Sequence, residues 1–300
     1  MQKSQLTLKP LFSPLLSSLL LFSLLFITKS LFAAEQSESQ KETITGAGAH
    51  FAWVIFDSLK DELEQSTGNK LQLFGKNSNL GMGCNAGIKL AKQSTDEHQT
   101  FGFTCCPLSD EELAKEKLKI YPLAEEPIMI LVNKNNPINN LSTEQVRAIF
   151  SGKTKNWKDV GGWDKPIVVV TRLHCKKRPG HWKTILPSAD SFVKKRLNVS
   201  SAKEMVKLVT DFDTAFGHLG STWEFGKNSN VKAISINNVK ATAANLKNKT
   251  YPFHRRLSAI TNLNPGPDVL STIHQVQHGQ SFNEVAKKYN LLPLNTVDKK

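Results

Sequence analysis

From Thr43 onward, short apolar, strand-like pieces alternate with stretches whose apolar residues recur at helical spacing, the pattern of a layered α/β fold. Ile44 and Thr45 run into Gly46-Ala47-Gly48-Ala49-His50. Phe51, Ile55, Leu59 and Leu63 then recur every four residues, which predicts a helix with one buried face that ends near Gly68. Residues 71–74 read as a strand. A second glycine-rich turn, from Gly81 to Gly87, precedes another short helix, and residues 101–104 form a buried strand that ends at Cys105. Residues 123–132 are apolar apart from Glu125 and Glu126, and this run is expected to be an extended crossover into a second lobe. There Ser142 is placed to cap a helix, residues 167–170 form a strand that delivers Arg172, and residues 231–236 form another. A second crossover is expected near Tyr251 and Pro252, and residues 270–292 as a terminal helix of the first lobe. The expected architecture is therefore a two-lobed α/β clamshell with two hinge crossovers. Its first lobe takes residues 43–122 and 237–300, and its second takes 123–236.

The 300 residues suffice for two lobes, and a content of 39% hydrophobic and 22% charged residues fits a chain with a core rather than a disordered polymer. Residues 11–27 are an apolar run preceded by Lys3 and Lys9, followed by Ala33-Ala34, with no acid before Glu35. That order predicts a secretory signal peptide over 1–34 in preference to an uncleaved anchor, with 35–42 as a polar linker. Its removal takes Lys3, Lys9 and Lys29 from a net charge of +13 and leaves +10. On an exported chain such a charge points to anions as ligands rather than to nucleic acid, and after cleavage no membrane-embedded segment is expected. Two glycine-rich turns opening onto helix N-termini suit the same ligand class, because such ends present unpaired N–H groups and positive dipole.

The motifs resemble, in order, those of the periplasmic phosphate-binding proteins of ABC transporters. The carriers are Thr45-Gly46-Ala47-Gly48-Ala49-His50-Phe51, then Phe101 to Asp110, then Ile149-Phe150-Ser151-Gly152-Lys153 with Asn156-Trp157, then Val168-Val169-Val170-Thr171-Arg172, and Ala215-Phe216-Gly217-His218. The resemblance implies a two-lobed solute-binding protein that serves an ABC transporter permease and closes on a small ligand, phosphate or another oxyanion. It implies no enzymatic activity.

The departures from the family cluster at the ligand contacts. His50 stands at the hydroxyl position of the first loop, Cys84 at the serine position, Cys105 at the aspartate position and His174 at the next acidic position, while Arg172 is retained. Cys175-Lys176-Lys177-Arg178-Pro179-Gly180-His181 replaces the family's remaining turn. The resemblance thus assigns ligand binding to His50, Phe51, Cys84, Asn85, Cys105, Arg172, His174 and Cys175. A thiol is a weak hydrogen-bond donor, whereas thiolate and imidazole together suit Cu(I) or Zn(II). His50, Cys84, Cys105 and His174 therefore form a tentative metal set, provided that both lobes contribute. Disulfides and free thiols beside an anion remain open as alternatives, and Cys84 with Cys105 is one plausible bridge. A nucleophilic Cys105 or Cys175 with His50, His174 or His181 as base is a further alternative, as is a redox or metal-delivery protein. The nucleophile comes without an orienting motif. Trp182, beside His181, is placed to cover the cleft, and Ser221 and Thr222 to approach the ligand.

Overall fold

The computed structural model describes residues 42–74, 83–175 and 178–294. The expected signal peptide, nearly all of the linker, Gly81, Lys176 and Lys177 lie outside these residues. The first lobe begins with β1 (Thr43–Gly48), a π-helical turn (Trp53–Asp57), α1 (Lys60–Thr67), β2 (Lys70–Phe74), α2 (Cys84–Lys92), β3 (Thr100–Thr104) and α3 (Asp110–Glu116). A long strand, β4 (Leu118–Asn133), then carries the chain into the second lobe. That lobe contains β5 (Asn140–Leu141), α4 (Thr143–Ser151), β6 (Val168–Thr171), β7 (Leu197–Asn198), α5 (Ala202–Asp211), β8 (Ala215–Gly220), β9 (Val231–Ile236) and α6 (Ala243–Lys247). The chain returns through β10 (His254–Asn262) and ends in α7 (Pro267–His278), α8 (Ser281–Lys288) and β11 (Leu292–Pro293). No helix among the described residues is long and apolar enough to cross a membrane.

The stripe Phe51, Ile55, Leu59 and Leu63 is buried as its spacing demands, although a π-helical turn interrupts it. β1 lies between β2 and β3, parallel to both, and β10 runs antiparallel between β3 and β4. Helix α2 lies against this sheet at backbone contact: a Cβ on Gly102 would fall 2.1 Å from the Gly87 carbonyl oxygen. Only glycine at both positions allows that approach, so Gly87 belongs to the helix rather than to the turn before it.

β4 is the physical link between the lobes. Its residues up to Pro127 pair with β10, and from Ile128 it pairs with β8 on one side and β9 on the other. The apolar side chains sort accordingly into one core around Phe51, Phe101, Phe103 and Val269 and another around Ile128, Phe150, Trp157 and Phe216. Leu246, Tyr251 and Phe253 pack in the second core, and the Tyr251 hydroxyl donates to the Ile128 carbonyl at 2.9 Å. The chain therefore stays with the second lobe beyond residue 237 and crosses back where β10 begins. Ser142 caps α4 as expected, accepting from the Gln145 N–H at 3.1 Å while its own N–H donates to Gln145 Oε1 at 2.8 Å. The expected C-terminal helix is two helices broken at Gly279, whose ψ of 142° is extended.

Candidate functional site

Three elements carry the four thiols to one place. Cys84 is the first residue of α2, Cys105 and Cys106 follow the end of β3, and Cys175 lies in the loop after β6, in the other lobe. Cys84 Sγ lies 2.9 Å from Cys106 Sγ and 3.6 Å from Cys105 Sγ, and it accepts the Cys105 N–H at 3.3 Å. Thr104 Oγ1 donates to the Cys106 carbonyl at 2.9 Å and accepts the Cys106 N–H at 3.2 Å, which folds the chain sharply after the strand. Cys84, Cys106 and Cys175 form a group whose sulfurs all lie within 4.8 Å of one another. Cys175 adopts φ of 53°, a left-handed conformation that costs an L-residue about 1–2 kcal/mol and is found where a site dictates it. Hydrogen bonding among the thiols redistributes their protons. Bonds from Cys106 and Cys84 hold Cys175 down to about 4, bonds from Cys105 and Cys106 lower Cys84, and the same network pushes Cys106 up.

Positive charge borders the sulfurs. Arg255, buried at the start of β10, donates from Nη1 to Cys105 Sγ at 3.2 Å and from Nε to Glu126 Oε2 at 2.5 Å. Glu126 is fully buried on β4, and its other oxygen accepts the Thr222 N–H at 2.9 Å and the Thr222 hydroxyl at 2.5 Å. Arg172, at the end of β6, donates from Nε to the Ser200 carbonyl at 3.1 Å, and burial and the neighbouring Arg255 both lower its pKa. Among the described residues no carboxylate pairs with it.

Histidines line the second-lobe side. The rings of His174 and His181 lie 5.0 Å apart, and those of His181 and His218 lie 4.7 Å apart. His181 Nδ1 and both ring nitrogens of His218 are buried without a hydrogen-bond partner. Burial holds His218 at about 3 and His181 well below the ordinary imidazole value. His50 stacks on Trp223 with ring centroids 3.4 Å apart and planes 9° apart, and burial lowers it to about 4.

The lobes touch directly. Arg178 donates from Nε to Glu112 Oε1 at 2.8 Å and from Nη1 to Asn85 Oδ1 at 3.0 Å. At Gly180 a Cβ would fall 2.2 Å from the Cys105 carbonyl oxygen and 2.9 Å from Pro107 Cδ. A cavity of about 420 Å³ opens beside this contact, lined by Cys105, Cys106, Gly180 and Arg255.

Two lobes, a shared hinge strand and a lined interface match a known architecture. The PBP superfamily domain profile matches residues 33–272. The chain belongs to the PBP superfamily. Within it, the chain is 24% identical over 220 residues to the phosphate-binding protein PstS of Bacillus subtilis, covering 73% of this chain and 69% of that one. It is 25% identical over 166 residues to the protein SphX of Synechococcus elongatus, covering 51% of this chain and 45% of that one. Solved structures that share its fold include two phosphate proteins. One is a putative phosphate ABC transporter substrate-binding protein with bound phosphate from Clostridium perfringens (TM-score 0.68, 23% identity, 84% of this chain and 100% of that one). The other is an ABC-type phosphate transport receptor from Vibrio cholerae (TM-score 0.63, 25% identity, 84% of this chain and 100% of that one).

On this PBP scaffold the residues expected at the ligand divide into groups. Cys84, Cys105, Cys175 and Arg172 converge, and His174 adjoins them through its ring contact with His181. Phe51 is instead a core residue set edge-on against Phe103, and Asn85 serves the contact with Arg178. The tentative set His50, Cys84, Cys105 and His174 does not close as a group, because His50 is taken up by Trp223 and the sulfur nearest Cys84 is that of Cys106. Trp182 is buried in the second core, with Nε1 donating to the His174 carbonyl at 2.8 Å, so it does not cover the cleft. Sequence reasoning missed Glu126 and Arg255. The available signal was an acid inside an apolar crossover.

Proposed function

We propose that this chain is an exported solute-binding protein of the phosphate-binding type, which closes its two lobes on a small oxyanion and presents it to an ABC transporter permease. The observation that carries the reading is Arg172, a half-buried guanidinium at the lobe interface, 3.1 Å from a carbonyl and without a carboxylate partner, while Arg255 beside it is neutralised by Glu126. A cleft guanidinium left uncompensated among the described residues has a place for an anion. Three of the four proteins compared above carry phosphate in their names, which supports the same ligand class, and the apolar N-terminal run behind Lys3 and Lys9 supports export.

Calorimetry of the reduced protein with phosphate, arsenate and sulfate tests this. Loss of one charged hydrogen bond in Arg172→Met is expected to weaken phosphate roughly 10–150-fold. Absence of heat with every oxyanion in the wild-type protein would end the oxyanion reading. Closure has its own test. In Gly180→Val the new side chain meets the Cys105 carbonyl, so the closed population and the apparent affinity should fall roughly tenfold or more, with the melting temperature nearly unchanged. Solution scattering showing the same ligand-induced compaction as the parent would contradict it.

A further inference from the structure

The three sulfurs of Cys84, Cys106 and Cys175 are unexplained by oxyanion capture, since thiols are poor donors to phosphate. We infer that they form a three-thiolate site for a soft monovalent cation of the Cu(I) class, which bridges the two lobes. The inference rests on the lobe closure of the proposed function but not on its oxyanion.

The donor set decides the ion class. Three sulfurs with no carboxylate or imidazole in the group select soft ions over hard ones. Three sulfurs about 2.3 Å from a central ion stand about 4 Å from each other; the observed group closes within 4.8 Å, and its 2.9 Å Cys84–Cys106 edge would open by about 1 Å as the ion enters. A structural zinc site asks for four protein ligands, and the fourth thiol, Cys105, lies outside the group and accepts from Arg255 Nη1 instead. The neighbouring guanidiniums Arg172 and Arg255 further disfavour a dication. Placement supports a site rather than a chance cluster. Cys84 starts a nine-residue helix, whose positive end favours its thiolate. Cys175 accepts a left-handed backbone to come within reach from the opposite lobe. Binding exchanges up to three thiol protons for one cation, with no change in the oxidation state of copper.

The test uses the full mature chain, reduced and anaerobic, titrated with Cu(I) against a chromophoric Cu(I) chelator. The expected result is one equivalent bound, an all-sulfur shell in X-ray absorption, proton release, and affinity for Cu(I) at least 100-fold above that for Zn(II). Cys175→Ser removes only the second-lobe ligand from a half-buried loop. It should lose about 100-fold in Cu(I) affinity and the copper-induced rise in melting temperature, while its apo melting temperature stays near the parent's. Nitrogen or oxygen ligands, tighter Zn(II) binding, an unaffected Cys175→Ser, or two reactive thiols instead of four (a Cys84–Cys106 disulfide in the isolated protein) would each overturn it. Calorimetry with phosphate, arsenate and sulfate on the same sample separates the two readings: an oxyanion without copper ends this inference alone, and copper without any of the three oxyanions ends the oxyanion reading alone.

Discussion

Glu126→Gln is expected to destabilise the protein by about 3–5 kcal/mol, the cost of leaving a buried charge without its partner. Glutamine keeps the size of the side chain and can still accept from Thr222, which turns its NH2 toward the Arg255 Nε–H, so the change removes both the charge and the hydrogen bond to Arg255. Arg255 would then be left in the hinge with only the Cys105 sulfur and its surroundings to compensate it. For a chain of this size the loss corresponds to a fall in melting temperature of roughly 10 °C. Replacing both partners, as Glu126→Leu with Arg255→Met, should recover most of the loss, because the removed pair no longer carries its own desolvation cost. The double-mutant cycle, read by urea unfolding, gives the coupling directly. A Glu126→Gln variant within 1 kcal/mol of the parent would show that the pair is not what holds the hinge.

That pair also shows why the site was only partly legible in the sequence. The strands and the hinge were readable because they obey local rules: an apolar stripe every four residues, a serine cap, and an extended run broken by two acids. The convergence of Cys84, Cys105 and Cys175 was readable because ordered motifs placed each at a known loop. Glu126 and Arg255, by contrast, are 129 residues apart and meet only because β4 and β10 pair in one register, Arg255 opposite Glu126. No local pattern encodes that register. The choice of Cys106 over Cys105 as the nearest sulfur was hidden for a different reason. Strand alternation would send successive side chains to opposite faces, but the Thr104 hydroxyl folds the chain just beyond β3, and both thiols then reach Cys84. His218 was seen only as part of a returning strand, and its importance depends on His181, brought beside it from the loop after β6.

Those two imidazoles make the fold acid-sensitive. His218 sits on β8 with its ring edge-on to Phe150 at 5.5 Å, and it faces His181, His174, Arg172 and Arg255. Burial first, and then the neighbouring arginines Arg172 and Arg255, hold His218 at about 3 and His181 also well below 6.5, so both are neutral in the folded protein where the unfolded chain takes up a proton. Below pH 6.5 the unfolded state therefore binds more protons, and stability falls as pH falls, down to the folded pKa values. At pH 4.5 the buried His218 alone costs about 2.5 kcal/mol relative to neutral pH, and His181 adds to the loss in the same direction. That is a large share of an ordinary domain's stability, and the melting temperature should drop steeply between pH 6.5 and 4.5. His218→Phe keeps an aromatic ring against Phe150 and removes two unpartnered nitrogens. It should flatten the slope by about 1.4 kcal/mol per pH unit and leave neutral-pH stability equal or higher. Parallel pH profiles for parent and variant would show that His218 does not carry the acid response.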